Sequence, residues 1–464
     1  MRLAHAEAEA VDSEAMPDSV KQPPRRDSSR RARRPASRQD TQGGPINGAL
    51  GVLKVLGPGL ITGASDDDPS GIGTYSQAGS QFGYGVLWTA IFTFPLMLAV
   101  QEACARIALQ TGVGLGVSLR RKFPTWLVGA CIVALFLANM INVGADLGAV
   151  AAAGSLLTRG QVNPAWFLPP IAVVILVLQF ELSYKVIFRL FKFLTLALFA
   201  YVATVIVSHP PLLTTIESTF IPHIQLNADF IGIIVAILGT TISPYLFFWQ
   251  ASSEVDEMLA RGLVSEGARH GVSRQEMHDA RVDVLVGMGF SQLVMYSIIL
   301  TGAAVLHASG HTNVATAAQA AQALQPVAGP FAFILFSVGI IGTGLLAIPI
   351  LSGSATYAVK EFFGMKGTLA DKARSRPAFY AVLTFALAGG LVISLLGIDP
   401  IKALVITAII NGIVAPPMLA LIALLGRDRT VMEEQTSGAL SNTLLWITTG
   451  VMSLAVLALL VTSL

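Results

Sequence analysis

Three consecutive carboxylates and a helix breaker, Asp66-Asp67-Asp68-Pro69-Ser70-Gly71, interrupt an apolar stretch. It runs from Ala49 to Ala64 on one side and through Ile72, Gly73, Thr74 and Tyr75 on the other. Ionised side chains are costly in lipid and are kept along substrate or ion paths. Carboxylate, hydroxyl and carbonyl oxygens are hard ligands, so the chemistry on offer is the handling of a hard cation. Pro69 removes an amide donor, and Gly71 and Gly73 permit an unwound backbone. Neither apolar half reaches the ~20 residues a span requires, so the first span must contain the break. A second interruption, Gly239-Thr240-Thr241-Ile242-Ser243-Pro244-Tyr245, places small polar residues and a mid-span Pro in another apolar run.

The elements around these breaks belong to a membrane protein. Of the 464 residues 53% are hydrophobic and 12% charged, with a mean hydropathy of +0.67; soluble domains carry ~25% charged residues. Cys104 and Cys131 sit in apolar runs and are expected to pack rather than bind metal. Residues 1–45 differ from the rest: they are polar and rich in Arg, as in Arg30-Arg31-Ala32-Arg33-Arg34, and are expected to form a disordered basic arm on the cytoplasmic side. Glu7, Glu9, Asp12 and Glu14 argue against a transit peptide.

Eleven hydrophobic segments follow within residues 46–464, at about 49–76, 84–109, 126–157, 165–182, 186–208, 228–253, 282–308, 327–358, 377–396, 400–426 and 441–463. With the amino terminus inside, only Arg159 and Lys402 of the twenty Lys and Arg after Lys54 fall outside, as the positive-inside rule requires. The outer loops 209–227 and 309–326 contain neither residue type, and eleven crossings put Leu464 outside. Because the broken segments are the first and the sixth, repeat one (about 49–208) and repeat two (about 228–426) each open on a discontinuous helix. An odd number of spans per repeat makes the two inverted, the plan of secondary transporters, with 441–463 as an extra helix.

Other polar residues carry plainer expectations. Glu102 and Arg106, spaced i, i+4, read as an internal ion pair. Glu254, Asp256 and Glu257 read as a solvated helix end. Asn411 either faces the breaks or bonds a neighbouring helix.

The chain resembles the NRAMP family of divalent metal transporters. The resemblance rests on Gly57-Pro58-Gly59, on Asp68-Pro69-Ser70-Gly71 where that family reads D-P-G-N, on Gln77 to Tyr84, and on Ser243-Pro244-Tyr245 where it reads M-P-H. Asp146-Leu147 and Asp399-Pro400 align as well. It implies an all-α, LeuT-like fold of two inverted five-helix repeats plus an eleventh helix, with a metal site between the breaks of helices one and six. The implied site is Asp68 with the carbonyls of Ser65 and Thr240, its volume set by Gly71 and Ser243. Tyr245, Asn411 and Asp146 are placed around it; Asp66 and Asp67, which the family pattern does not match, either line the vestibule and hold the ion's waters or cap the unwound helix. Where the family has Asn and Met, this chain has Gly71 and Ser243, an enlarged site without sulfur. Hard oxygen sites suit Mg2+, which keeps several waters, and this combination resembles the NRAMP-related magnesium transporter branch.

Tyr245 stands in place of the family's His, and Ala149 where an acid is expected, so coupling to protons is expected to be weak or missing. The implied function is Mg2+ and Mn2+ uptake by alternating access in a bacterial inner membrane. No enzyme activity, cofactor or nucleic acid is expected; the partners are the divalent cation and lipid. The alternatives are a proton-coupled Mn2+/Fe2+ symporter and a membrane-embedded Mg2+-dependent prenyl transferase. The latter needs a second Asp-rich cluster, and the sixth segment offers Thr-Thr-Ile-Ser-Pro instead.

Overall fold

A computed structural model describes residues 57–181 and 195–463. The expected arm at 1–45, the start of the first segment with Lys54, and the 186–194 portion of the fifth segment lie outside the described residues. The described chain is helical throughout, without a strand. Its spanning elements are α1 (Pro58–Asp66), α2 (Pro69–Phe82), α3 (Trp88–Thr111), the short α4 (Leu115–Lys122), α5 (Thr125–Leu157), α6 (Leu168–Glu181), α7 (Phe199–Ser208), the short α8 (Leu212–Phe220), α9 (Ala228–Thr241), α10 (Pro244–Ala260), α11 (Arg274–Thr301), α12 (Ala332–Phe363), α13 (Pro377–Ser394), α14 (Pro400–Gly426) and α15 (Ala439–Thr462).

The protein is a multi-pass membrane protein. Among the described residues nine helices or helix pairs are long and apolar enough to cross a bilayer; the broken first span α1–α2 and the described end of the fifth, α7, complete the expected order. Burial separates the spans by role. In the α9–α10 span 94% of the apolar window is buried inside the protein, against 22% in α6 and in α15, so the broken helices form the core and α6 and α15 face lipid. The first broken span packs against α11, the second against α3, and α5 lies along α12, a reciprocal arrangement between the halves.

Where the breaks meet their supports, backbone touches backbone. A Cβ on Gly63 would lie 2.1 Å from the Gly287 carbonyl oxygen of α11, and one on Gly239 would lie 2.0 Å from that of Ala408 on α14. Close contact through small residues is how helices associate where lipid removes the hydrophobic drive. Helix ends are capped from within: Asp283 accepts from the amides of Gly57, Gly59 and Leu60 at 2.8, 2.7 and 3.1 Å, and Asp399 caps α14.

The expected Glu102–Arg106 pair forms, and Arg281 of α11 joins it at 2.9 Å. The expected solvated end of α10 is corrected: Glu254 is buried and accepts from Gln250 Nε2 at 3.1 Å, while Asp256 accepts from the Tyr357 hydroxyl. The reason is that α10 runs inward against α12, which supplies Tyr357, while Gln250 lies one turn back on α10 itself.

The loop 209–227, expected on the outer side, holds helix α8 with reversed amphipathicity. Thr215, Ser218 and Thr219 are buried, Thr219 on the Tyr296 hydroxyl at 2.9 Å, while Leu212, Leu213, Ile216 and Phe220 are exposed. A helix that turns its apolar side outward suits the membrane interface.

Candidate functional site

Both breaks are built by the same local rule. In each, two non-helical residues precede a Pro in the first helical position, where its missing amide goes unneeded. The dihedrals follow suit: Asp67 and Asp68 have φ/ψ of −84/48 and −67/171, Ile242 and Ser243 −115/56 and −76/132. The carbonyl four residues before each Pro loses its helical donor. These are the carbonyls of Ser65 and Thr240, and each receives a hydroxyl instead: Tyr245 donates to Ser65 at 2.9 Å, and Ser243 to Thr240 at 2.8 Å and to Gly239 at 2.6 Å. Two further contacts join the breaks, Tyr75 Oη to Thr241 Oγ1 at 3.1 Å and Ser70 Oγ to Thr240 Oγ1 at 3.5 Å.

The three adjacent carboxylates part company. Asp68 caps α2, its Oδ1 accepting from the Gly71 amide at 2.7 Å and the Ser70 hydroxyl at 2.6 Å, and its Oδ2 accepts from Asn142 Nδ2 of α5 at 3.1 Å. Asp66 and Asp67 turn to Ser291 of α11, whose hydroxyl is 2.5 and 3.4 Å from their oxygens. Among the described residues no three His, Cys, Asp or Glu side chains gather into a metal-holding group, so the Asp run does not act as a cage. Asp146, one helical turn beyond Asn142, faces the Ser70 backbone, yet neither of its oxygens reaches hydrogen-bond geometry.

All four carboxylates are buried, and among the described residues no Lys or Arg pairs with any of them. Burying charge without a partner is costly. The structure thus brings Asp68, Ser65, Gly71, Thr240, Ser243 and Tyr245 together. Asn411 is buried with neither amide atom partnered, so the alternative of an interhelical bond from it is not realised.

Two sequence expectations change. The room expected at Gly71 is taken: a Cβ there would meet Asp66 O and Tyr75 Cε2 at 3.2 Å and Thr240 Oγ1 at 3.4 Å. Sulfur is also nearer than expected, because Met295 Sδ lies 3.7 Å from Thr241 Oγ1 and 3.2 Å from Gln292 Nε2, though its hydrogen-bond partners do not include Asp68. Asn142, Ser291 and Tyr75 were missed. The available signal for Asn142 was Asn139, Asn142 and Asp146 recurring at helical spacing in an otherwise apolar helix.

Comparison with known proteins bears on this geometry. The model of the family described as natural resistance-associated macrophage protein-like matches residues 59–462. A divalent metal cation transporter MntH of Aeromonas hydrophila is 25% identical over 386 residues, 82% of this chain and 89% of that protein. One of Klebsiella pneumoniae is 27% identical over 369 residues, 77% and 82% of the two chains. Among solved structures, a manganese transporter of Eremococcus coleocola superposes with a TM-score of 0.68 at 18% identity, covering 89% of this chain and 88% of its own. MhsT gives 0.53 at 12% identity, covering 87% and 97%. These likenesses show the fold: LeuT-like, two inverted five-helix repeats with discontinuous first and sixth helices and an eleventh helix.

Proposed function

The chain belongs to the Nramp family, and from that premise we propose that it moves a divalent metal cation across the membrane by alternating access. Mg2+ is the main cargo, Mn2+ is also accepted, and protons are coupled weakly or not at all. The observation that carries this reading is the set of four buried carboxylates at the meeting of two broken helices, none of them paired with a Lys or Arg among the described residues. Curated relatives named divalent metal cation transporters support the cargo class, and they bear no enzyme name. The Mg2+ preference follows from the side chains that touch Asp68, the Ser70 hydroxyl and the Asn142 carboxamide; such oxygen donors favour hard cations, and Mg2+ binds through one or two carboxylates while keeping waters.

Weak coupling follows from Tyr245, whose hydroxyl is engaged on the Ser65 carbonyl. The distribution of Lys and Arg supports an inner-membrane orientation with the amino terminus in the cytoplasm and the carboxyl terminus outside. A proton-coupled Mn2+ symporter is the second reading, favoured by the buried Asp146 with no hydrogen-bond partner and by the manganese transporter among the structural neighbours.

Uptake of Mg2+, Mn2+ and Ca2+ into proteoliposomes by the wild type and Asp68→Ala tests the proposal. The expected result is Mg2+ uptake that Asp68→Ala abolishes. Normal transport by that variant overturns the site. Substrate-driven internal acidification that Asp146→Asn removes favours the symporter.

A further inference from the structure

The side of α5 that meets the first break is polar along its length. Asn139, Asn142 and Asp146, spaced i, i+3 and i+7, share a face of the helix, and all three are fully buried. Asn139 Nδ2 donates to the Leu351 carbonyl of α12 at 3.1 Å, and Asn142 Nδ2 donates to Asp68 Oδ2 at 3.1 Å. The carboxamide oxygens of both Asn residues are left without a hydrogen-bond partner. A buried polar atom in that state calls for an explanation, and here it sits on the side chain that touches the ion-site carboxylate.

A cation at Asp68 needs further oxygens, and among the described residues Asp66 Oδ1, Asp67 Oδ2 and both Asp146 oxygens lack a hydrogen-bond partner, but none of them is hydrogen-bonded to Asp68 and several neutral oxygens nearby are committed. The Ser65 and Thr240 carbonyls hold hydroxyls. Asp68 Oδ1 holds an amide and a hydroxyl. No group of three His, Cys, Asp or Glu side chains forms a cage among the described residues. The free oxygen tied to Asp68 by a hydrogen bond is that of Asn142. A carboxamide carries an acceptor and donors on one planar group, so the side chain that steadies Asp68 through its N–H also has an oxygen to offer.

We propose that Asn142 is an ion-contacting, specificity-determining residue: its carboxamide oxygen takes up the divalent cation, or a water the cation retains, at Asp68. This rests on the reading of Asp68 as the ion's carboxylate. The third span thereby joins the two breaks as a third wall of the site, and it adds a neutral hard donor that discriminates between cations without adding charge.

The test is ion uptake into proteoliposomes by the wild type, Asn142→Ala and Asn142→Ser, with Mg2+ binding to the purified proteins measured by calorimetry. Asn142→Ala should raise the KM for Mg2+ by about tenfold while the maximal rate stays within about twofold, and should weaken binding in parallel. Asn142→Ser, which restores an oxygen, should recover part of the loss. An unchanged KM and an unchanged order of Mg2+, Mn2+ and Ca2+ in folded Asn142→Ala overturn the inference, as does a fall in maximal rate alone, the mark of a packing role. If Asn142→Ala does not fold, Asn142→Ser decides through the same competition order. Should the wild type move Mn2+ but not Mg2+, the cargo preference fails while Asn142 is judged with Mn2+ in the same assay. Normal transport by Asp68→Ala removes the reading of the site and this inference with it.

Discussion

The two helix breaks share a backbone and differ in charge. Each is two residues and a Pro long, and each leaves the carbonyl four residues back to be claimed by a hydroxyl. Yet the first carries three carboxylates and the second only Thr240, Thr241 and Ser243. The duplicated geometry goes with a Pro that follows two non-helical residues, and on the proposed reading the charge that attracts a cation comes from one half alone. The second break supplies neutral oxygens and a hydroxyl that closes over its opposite number.

The sharpest way to break this comparison is to remove the charge. Asp68→Ala should reduce uptake to that of protein-free liposomes, whereas Ser243→Ala at the matching position should retain measurable transport. Asp68→Asn separates two roles, because its amide oxygen can still cap α2: folded yield should be kept and transport lost, read by size-exclusion profile and uptake side by side. Next in size is the shared backbone. Gly239→Val and Gly63→Val should each destabilise the fold by about 3 kcal/mol or more through overpacking, since both replace a hydrogen that faces a carbonyl oxygen; thermal unfolding in detergent measures it. A survivor in either position would show that one break is looser than the other.

A smaller effect should come from changing the neutral half. Ser243→Met introduces a thioether, and with Gly71→Asn it should tilt competition from Mg2+ toward Mn2+ or Cd2+ by about tenfold. Because Tyr75 and Thr240 crowd Gly71, Ser243→Met alone should carry most of the shift. Unchanged competition would remove the argument from ligand hardness. Smallest are the hydroxyls that tie the breaks: Tyr245→Phe and Tyr75→Phe should each lower stability by about 1 kcal/mol. Nearly equal losses would make the ties equivalent, and a larger loss at Tyr245 would show that the bare Ser65 carbonyl is the more exacting one.

Much of this was legible before any coordinates. Pro69 and Pro244 announce their breaks because small and polar residues accompany them, whereas Pro95, Pro349, Pro416 and Pro417 stand inside unbroken helices; the spans announce themselves because bilayer thickness sets their length. The partners of the carboxylates were not legible. Asn142 and Ser291 look like ordinary polar residues tolerated in apolar helices, and only the placement of α5 and α11 gives them meaning. Volume was misjudged for a related reason: Gly71 lacks a side chain, but the ring of Tyr75, one turn along the same helix, fills the space. Helix α8 was hidden because nine residues with an outward apolar side resemble a loop when water is assumed to be the neighbour.

The cap on α2 has a consequence for which ions fit. With Oδ1 of Asp68 held by the Gly71 amide and the Ser70 hydroxyl, the carboxylate can approach a metal through a single oxygen. Ca2+ is at ease when a carboxylate clasps it with both oxygens at longer range, and Mg2+ takes its carboxylates end-on in a tight octahedron. On the proposed reading of the site, the residue that starts the helix thereby leans it toward the smaller ion.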